Sequence, residues 1–387
     1  ILQLIPHLAD HTVSRDNTPM NTLEELSFDN TYARLPEGFF HRVQPTPLPN
    51  PQVVSFNSAA AELIDLDPEE AKRPEFAEYF CGAKTFQGSD PLAMLYAGHQ
   101  FGHFNPQLGD GRAGLIGEVV TPKGERFDLQ LKGSGPTPYS RRGDGRAGIG
   151  PVIREYILSE AMHALGVPTT RSLAIATTGE FIFREAVQPG AVLTRVAASH
   201  IRIGTFQYFA AKGDDEGIRT LADYAIERHY PELNGSENRY LALLEKVMER
   251  QASLVAKWMS IGFIHGVMNT DNMTISGETI DYGPCAFLDA YEHNRVFSSI
   301  DQQGRYAYGA QASIAQWNLA RLAETLLPLM DSDETIAIEK AKAAIETFPS
   351  LFVKHWKNEM GPKFGMEIES ELDKEMVRTF LSLLQKH

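Results

Sequence analysis

The chain has 387 residues, of which 43% are hydrophobic and 22% are charged, and its formal net charge is −14. These values are ordinary for a globular protein and leave room for one large two-lobed domain or for two domains. The negative charge disfavours nucleic acid and anionic membranes as partners, because both require a basic protein face.

The cysteine content and the lengths of the apolar runs narrow the class of protein further. Cys81 and Cys285 are the only cysteines, so the sequence has no disulfide framework and no Cys-rich zinc pattern, which indicates a reducing compartment such as the cytoplasm. No apolar run is long enough for a membrane-spanning helix. Met20 is a plausible natural start, so residues 1–19 are expected to be an N-terminal extension.

The first half of the chain is predicted to be rich in strands. Residues 36–51 are dense in proline and are expected to be extended, and residues 56–66 are expected to form a helix. A second helix is predicted over residues 151–165, with Pro151 in its first turn and a glycine at its end. Short apolar or alternating runs predict strands at residues 115–120, 127–132, 172–177, 180–186 and 191–197.

The second half of the chain is predicted to be helical from about residue 215. Residues 238–261 carry a long amphipathic pattern, and further helices are expected over residues 312–330 and 334–348. The order of elements indicates an α+β, protein-kinase-like fold with two lobes. We expect a β-rich N-lobe over residues 20–205 and a helical C-lobe over residues 206–387.

The segment HGVMNTDN (residues 265–272) resembles a kinase catalytic loop in which one residue has moved. In the kinase pattern, an aspartate stands two residues after the histidine and an asparagine seven residues after it. Here Asn272 has the expected spacing, but Val267 stands at the aspartate position and the carboxylate is at Asp271. Asp281 begins a DYG triplet where kinases have DFG. Because oxygen ligands suit a divalent ion that also holds phosphates, the sequence predicts that the metal ligands are retained while the base is displaced.

The hexapeptide GDGRAG occurs twice, at residues 109–114 and 143–148. Glycine-rich loops of this type allow backbone N–H groups to approach phosphate oxygens closely. The first copy precedes a strand, a turn and a Lys-bearing strand, as the glycine loop of a kinase does. The alternative, two structural turns held by Arg–Asp bonds, remains open at this stage.

Four charged residues complete the predicted nucleotide site. Lys132 ends a strand, as the kinase β3 lysine does, and Glu155 on the following helix is preferred to Glu160 as its partner. If the residues between Arg195 and Arg202 are helical, both guanidinium groups lie on one face and can clamp phosphate. Ordinary Arg–carboxylate pairs are the alternative for these arginines, and spacing alone favours it.

These motifs, together with LYAGHQFG (residues 95–102) and LKGSG (residues 131–135), resemble the selenoprotein O family, including its bacterial YdiU members. The resemblance covers nearly the whole chain from Met20 onward. It implies a pseudokinase-like fold that binds ATP in a flipped orientation and transfers AMP to Ser, Thr or Tyr hydroxyls of proteins. Bacterial members are also associated with UMP transfer from UTP, with Mg²⁺ or, preferably, Mn²⁺. Family members usually continue beyond the position of His387, so C-terminal redox control is expected to be absent or truncated here.

The resemblance also implies roles for individual residues. Asp271 corresponds to the proton acceptor, and Asn272 and Asp281 correspond to the metal ligands. His265 is expected to brace the loop, and Cys285 is expected to be a packing residue. The nucleotide-binding pattern corresponds to Gly109, Gly111, Arg112, Lys132, Asp144, Gly145, Arg195, Arg202 and Asp281.

Two other functions remain open at the level of sequence. A kinase-type phosphotransferase is supported by Asn272 and Asp281 and opposed by Val267. A non-catalytic, nucleotide-binding pseudokinase scaffold would bind the same ligands without turnover.

Overall fold

The computed structural model describes residues 19–385. The predicted N-terminal extension therefore lies outside the described residues, apart from its last position. Within the described part, no helix is both long enough and apolar enough to cross a membrane.

Most strands of the described residues lie in the N-terminal half. In chain order they are β1 (Phe40–Arg42), β2 (Gln52–Phe56), β3 (Leu92–Met94), β4 (Gly98–Gln100), β5 (His103–Asn105), β6 (Ala113–Val120), β7 (Arg126–Lys132), β8 (Ala147–Gly148), β9 (Arg171–Phe183), β10 (Val187–Ala197), β11 (Phe263–Ile264) and β12 (Ala286–Phe287). Eight of them form one antiparallel sheet in the order β1-β3-β6-β7-β10-β9-β2, with β8 paired to β10.

Most of the α-helices follow this sheet. They are α1 (Ser58–Leu63), α2 (Pro74–Cys81), α3 (Ile149–Ala164), α4 (Ile203–Ala211), α5 (Asp215–His229), α6 (Arg239–Ser260), α7 (Gln311–Met330), α8 (Glu334–Glu346), α9 (Phe348–Phe364) and α10 (Glu371–Leu384). The predicted α+β arrangement, with a sheet-rich N-lobe and a helical C-lobe, is confirmed. The predicted lobe boundary at residues 205 and 206 falls inside α4 and stays a prediction.

One hydrophobic cluster lies within the N-lobe, and a larger one joins the helices of the C-lobe to strands β1, β3 and β6. In the N-lobe, Leu129 and Leu131 on one face of β7 pack with α1 and α2. In the C-lobe, the long helix α6 buries one side, including Leu244 and Trp258. Asn238 caps this helix, because its side chain accepts a hydrogen bond from the N–H of Leu241 at 3.1 Å. The predicted helix at residues 238–261 is therefore confirmed.

The predicted strand at residues 180–186 is wrong as a separate element. Strand β9 continues through Gly179, which has φ +75°, and the reversal of the chain comes later, where the N–H of Arg184 donates to Ala186 O at 3.2 Å. Gly179 permits a local distortion within one continuous strand. β9 and β10 then form a long hairpin.

A buried ion-pair network joins the two lobes. Arg228 on α5 binds Glu118 on β6, and it binds Asp128 on β7 at 2.7 Å. Both carboxylates are buried, and Arg228 also donates to Ala198 O at 2.7 Å. Because both buried carboxylates share this guanidinium, the network fixes α5 against the sheet.

Glu278 extends the same network toward the predicted metal loop, which is the DYG triplet at residues 281–283. Its carboxylate accepts hydrogen bonds from the N–H of Ala198 at 3.0 Å and from Ser276 Oγ at 3.0 Å. Burial raises the pKa of Glu278 to about 7 and nearby Asp128 adds to the rise, whereas the bonds from Ser276 and Ala198 and the charge of Arg250 act in the opposite direction. The ionised form of Glu278 is therefore disfavoured in the folded protein.

We expect Arg228→Met to lower the free energy of unfolding by about 3–5 kcal/mol, because two buried carboxylates lose the cation that they share. Glu118 then retains Arg126 at 3.3 Å as a basic partner. Asp128 likewise retains His200 at 3.0 Å. Urea denaturation followed by circular dichroism measures this change.

Arg219→Met is the matched control on the same helix, since Arg219 is 44% exposed and pairs with an exposed glutamate. A loss no larger in Arg228→Met than in the control would contradict a structural role for the network.

We expect Glu278→Gln to gain stability relative to the wild type as the pH rises. The folded-state pKa of Glu278 lies above its ordinary value of 4.5, so between pH 4.5 and about 7 the folded state binds more protons than the unfolded state. The contribution of this group to stability therefore falls across that window, and glutamine removes the fall. Melting temperatures at pH 5 and pH 8 test this, with exposed Glu245→Gln as the control. An equal difference between Glu278→Gln and wild type at both pH values would exclude this effect.

Candidate active site

A cavity of about 730 Å³ lies between the lobes. Both GDGRAG segments line it, together with the catalytic and metal loops. All of the residues predicted from the sequence are brought together around this one cavity: Gly109, Gly111, Arg112, Lys132, Asp144, Gly145, Arg195, Arg202, Asp271, Asn272 and Asp281.

Lys132 and Arg195 share one carboxylate on the N-lobe side of the cavity. Lys132 Nζ contacts Glu155 Oε2, and Arg195 Nε donates to Glu155 Oε1 at 2.6 Å. The predicted pairing of Lys132 with Glu155 is confirmed, and Glu160 pairs instead with Arg171 at 2.8 Å. Strand register explains the arrangement, because β10 places Arg195 opposite Gln130 on β7, two residues before Lys132.

Asp281 is enclosed by two arginines. Its Oδ1 accepts from Arg195 Nη2 at 2.8 Å, and its Oδ2 accepts from Arg202 Nη1 at 2.7 Å. Burial acts to raise the pKa of Asp281, but Arg202, Arg195 and Lys132 outweigh it and hold that pKa well below its usual range. Asp281 is therefore an anion although it is mostly shielded from solvent.

The residues between Arg195 and Arg202 are not helical, so the condition under which a helix would align the two arginines is not met. Strand β10 runs to Ala197, and Arg202 is the residue immediately before α4. The two side chains meet because the chain turns between β10 and α4, not because of helical periodicity. Both arginines make carboxylate pairs, as the alternative interpretation expected, and both still line the cavity.

The two GDGRAG segments pack against a common segment, residues 135–140. Ser140 Oγ donates to Gly111 O at 2.5 Å, and the N–H of Gly135 donates to Gly145 O at 3.2 Å. Gly109 has φ +133°, and a Cβ there would lie 2.5 Å from the ring of Tyr139. This position therefore requires glycine for both conformation and space.

The aspartates of the two copies differ in their surroundings. Asp110 is buried and accepts from the N–H of Met94 at 3.1 Å. Asp144 pairs with Arg184 at 2.7 Å at the cavity mouth. An Arg–Asp bond is thus present in the second copy, but it joins Asp144 to an arginine outside the repeat.

The catalytic loop is fixed from within by His265. This residue is buried, its Nε2 donates to Ile280 O at 2.8 Å, and its ring stacks on Trp258 at a centroid distance of 5.5 Å. The predicted bracing role is therefore consistent with the structure. Cys285 is also buried, and burial raises the pKa of its thiol to about 11, which fits the predicted packing role.

Asp271 lines the cavity. Burial raises its pKa to about 6, although Arg202 acts to lower it. Its Oδ2 accepts from Gln100 Nε2 at 3.1 Å, while its Oδ1 is buried without a hydrogen-bond partner among the described residues. Val267, at the position of the kinase base, lines the same cavity.

Asn272 and Asp281 suit a hard divalent ion in chemical type. Asn272 donates its amide N–H to Val267 O at 2.9 Å, which leaves its carbonyl oxygen as a potential ligand. The Asp281 carboxylate has further lone pairs beyond the two that its arginines use. Residues 19–385 contain no cluster of three or more His, Cys, Asp or Glu that could hold a metal. An ion at this position would therefore take its remaining ligands from phosphates and water, as Mg²⁺ usually does.

Gln100 and Tyr96 line the cavity but were not predicted as site residues. Arg202 lies over the ring of Tyr96 at 4.6 Å, and Gln100 contacts Asp271. Both belong to the LYAGHQFG segment, which carries no nucleotide-binding pattern of its own. Their proximity to the site depends on contacts that are distant in sequence.

Comparison with known proteins identifies a family model and relatives that match this chain. The family model described as Protein adenylyltransferase SelO matches residues 22–387. A relative from Rhizobium etli is 60% identical over 360 residues, covering 93% of this chain and 72% of its own length. Another from Shouchella clausii is 58% identical over 368 residues, covering 95% and 76%. Both relatives are named protein nucleotidyltransferase YdiU.

A likeness to solved structures is much weaker. The kinase domain of a rhoptry antigen from Toxoplasma gondii aligns over 75% of this chain and 87% of its own, with 10% identity and a TM-score of 0.31.

Proposed function

The chain belongs to the protein adenylyltransferase SelO family and is a protein nucleotidyltransferase, and we propose that it transfers AMP from ATP to Ser, Thr or Tyr hydroxyls of proteins in a reaction that requires Mg²⁺ or Mn²⁺. UMP transfer from UTP is the variant of the same reaction. The observation that carries the proposal is the position of Asp271: a carboxylate stands at the cavity edge beside Asn272, while Val267 occupies the position of the kinase base.

In the proposed reaction, the acceptor hydroxyl oxygen bonds to the α-phosphorus of the nucleotide. The bond from that phosphorus to the bridging oxygen breaks, and pyrophosphate leaves with the electron pair. The hydroxyl proton passes to Asp271, which acts as the general base. This role requires a carboxylate within hydrogen-bond reach of the acceptor, and the edge of the cavity supplies one.

The orientation of the nucleotide follows from the location of the cations. Lys132, Arg195 and Arg202 lie on the inner side of the cavity, and the two arginines are 2% and 3% exposed. Guanidinium groups form charge-assisted, often bidentate bonds with phosphate, so the most anionic end of the nucleotide is expected among them. The γ-phosphate then lies deep and the α-phosphate lies near Asp271.

The charge balance favours a divalent ion. The cations of Lys132, Arg195 and Arg202 already face the carboxylates of Glu155 and Asp281, so these groups attract a triphosphate but do not balance its charge. A divalent ion held by Asn272 and Asp281 would offset the negative charge of the phosphate oxygens. Arg112, which lines the cavity, can add a further positive charge.

We expect Asp271→Asn to bind a metal–nucleotide complex with wild-type affinity but to transfer AMP about 10²–10⁴-fold more slowly, as the loss of a general base does. The rate is measured as incorporation of label from α-labelled ATP into the proteins of a bacterial lysate. γ-labelled ATP is the parallel probe, since it labels protein only if phosphate is transferred. Label from γ-labelled ATP alone would replace this proposal with a kinase function, and nucleotide binding without either label would indicate a scaffold.

We expect Asp281→Ala to abolish transfer and to weaken metal-dependent nucleotide binding, because a carboxylate ligand is lost. Titration of a fluorescent ATP analogue with and without Mn²⁺ measures how much of the nucleotide affinity depends on the metal. Asp144→Ala is a comparison variant at the mouth of the same cavity, and it should leave the Mn²⁺-dependent increment in affinity intact. Turnover by Asp281→Ala at the wild-type rate would refute the metal assignment.

A further inference from the structure

A hairpin of the N-lobe rests on the catalytic loop. It consists of β4 and β5, and its three successive residues 99–101 bond to the three successive loop residues 269–271. The bonds run from the N–H of His99 to Thr270 Oγ1 (2.7 Å), from Gln100 Nε2 to Asp271 Oδ2 (3.1 Å) and from the N–H of Phe101 to Asn269 Oδ1 (3.1 Å).

The hairpin encloses the carboxylate of Asp271 from two directions. A Cβ on Gly98 would lie 2.5 Å from Asp271 Oδ1, so the glycine backbone is packed directly against that oxygen. Oδ1 is buried and receives no hydrogen bond within the described part of the chain. Oδ2 is bound to Gln100, which uses only one of its lone pairs. Oδ2 is therefore the oxygen that remains to meet an acceptor hydroxyl.

The position of Gln100 is itself fixed on both sides. On one side, Gln207 bonds to the ring of His99 at 2.8 Å and accepts from Thr270 Oγ1 at 2.6 Å. On the other, Tyr306 Oη accepts from the N–H of Phe101 at 3.1 Å, and Phe101 has φ +50°, a conformation that is unusual for a residue with a side chain. Such a strained position persists only where its surroundings hold it, and such positions cluster at functional sites.

The geometry points to Gln100 as a positioning residue of the transfer reaction: its amide holds the Asp271 carboxylate so that Oδ2 receives the proton of the acceptor hydroxyl. The inference rests on the proposed function, because it assigns an orientation to the base named there. During transfer, the proton passes from the hydroxyl to Oδ2 as the oxygen–phosphorus bond forms and the bond to pyrophosphate breaks. Gln100 neither gains nor loses a proton.

A positioning role differs from a binding role in its kinetic effect. A residue that only orients the base affects the transition state more than it affects the bound nucleotide, so its loss lowers kcat and leaves KM for ATP nearly constant. A displacement of about 1 Å at a reacting group can cost about 10²-fold in rate. Gln100→Leu replaces the amide with apolar methyl groups and so removes the donor.

We expect Gln100→Leu to lower the apparent kcat for AMP incorporation by about 10–10²-fold, with KM for ATP and the Kd of a fluorescent ATP analogue within about twofold of wild type. The assay uses α-labelled ATP at varied concentration and lysate protein at fixed concentration. Gln107→Leu is the matched control, since Gln107 is exposed and follows the same hairpin. Circular dichroism confirms that each variant is folded.

A second variant tests the other side of the carboxylate. Gly98→Ala introduces a methyl group against Oδ1, and it should lower the apparent kcat in the same way as Gln100→Leu. Gly150→Ala is its control, because a Cβ at that position meets no atom within 4 Å.

The possible outcomes separate this inference from the proposed function. Transfer by Gln100→Leu at the wild-type rate, with Asp271→Asn slow, overturns the role of Gln100 and leaves the function standing. A loss of nucleotide affinity in Gln100→Leu that equals its loss of rate also overturns it, since Gln100 is then a binding residue. Wild-type transfer by Asp271→Asn, or transfer of the γ-label alone, overturns the proposed function and this inference with it.

Discussion

The carboxylate of Asp281, held between Arg195 and Arg202, is the contact on which the geometry of the cavity depends. Asp281 comes from the metal loop of the C-lobe, Arg195 from the central sheet and Arg202 from the start of α4. Through Glu155, the same chain of charges reaches Lys132. Because each ion is desolvated and each relies on an opposite charge, removing one member leaves its neighbours uncompensated, at a cost of about 3–5 kcal/mol. The sheet, helix α3 and the metal loop are thus held in one relative position.

Two further contacts join the lobes at other points around the cavity. Arg228 ties α5 to β6 and β7, and the β4–β5 hairpin bonds to the catalytic loop at three successive residues. Separating the lobes would expose or unpair buried charges at two of these points and break a hydrogen-bonded contact at the third. The relative position of Asp271, Asn272, Asp281 and the cations is therefore fixed before a nucleotide binds, which would lower the reorganisation needed during the proposed reaction.

Local patterns in the sequence predicted the elements well and the lobe interface poorly. The alternation in β7 predicted a half-buried strand, and one of its faces does pack in the N-lobe core through Leu129 and Leu131. Its other face, with Asp128 and Gln130, is also buried, because the C-lobe covers it. The polar residues at every second position indicated a solvent-exposed face. No residue nearby in the sequence predicts their contact with the cation on α5, which lies 100 residues away from Asp128.

The site residues divide in the same way according to the distance of their partners. Lys132 and Glu155 are 23 residues apart, and strand-then-helix order was enough to predict their contact. Gln100 and Asp271 are 171 residues apart, and no periodicity or spacing connects them. The same limit applies to Arg195 and Arg202: a helix was the local arrangement considered for aligning them, whereas the structure aligns both through Asp281, a residue that lies 86 and 79 positions further along the chain. Motifs identify chemical groups, but the partner that orients each group is set by tertiary structure, and the roles proposed for Asp271 and Gln100 depend on such a contact.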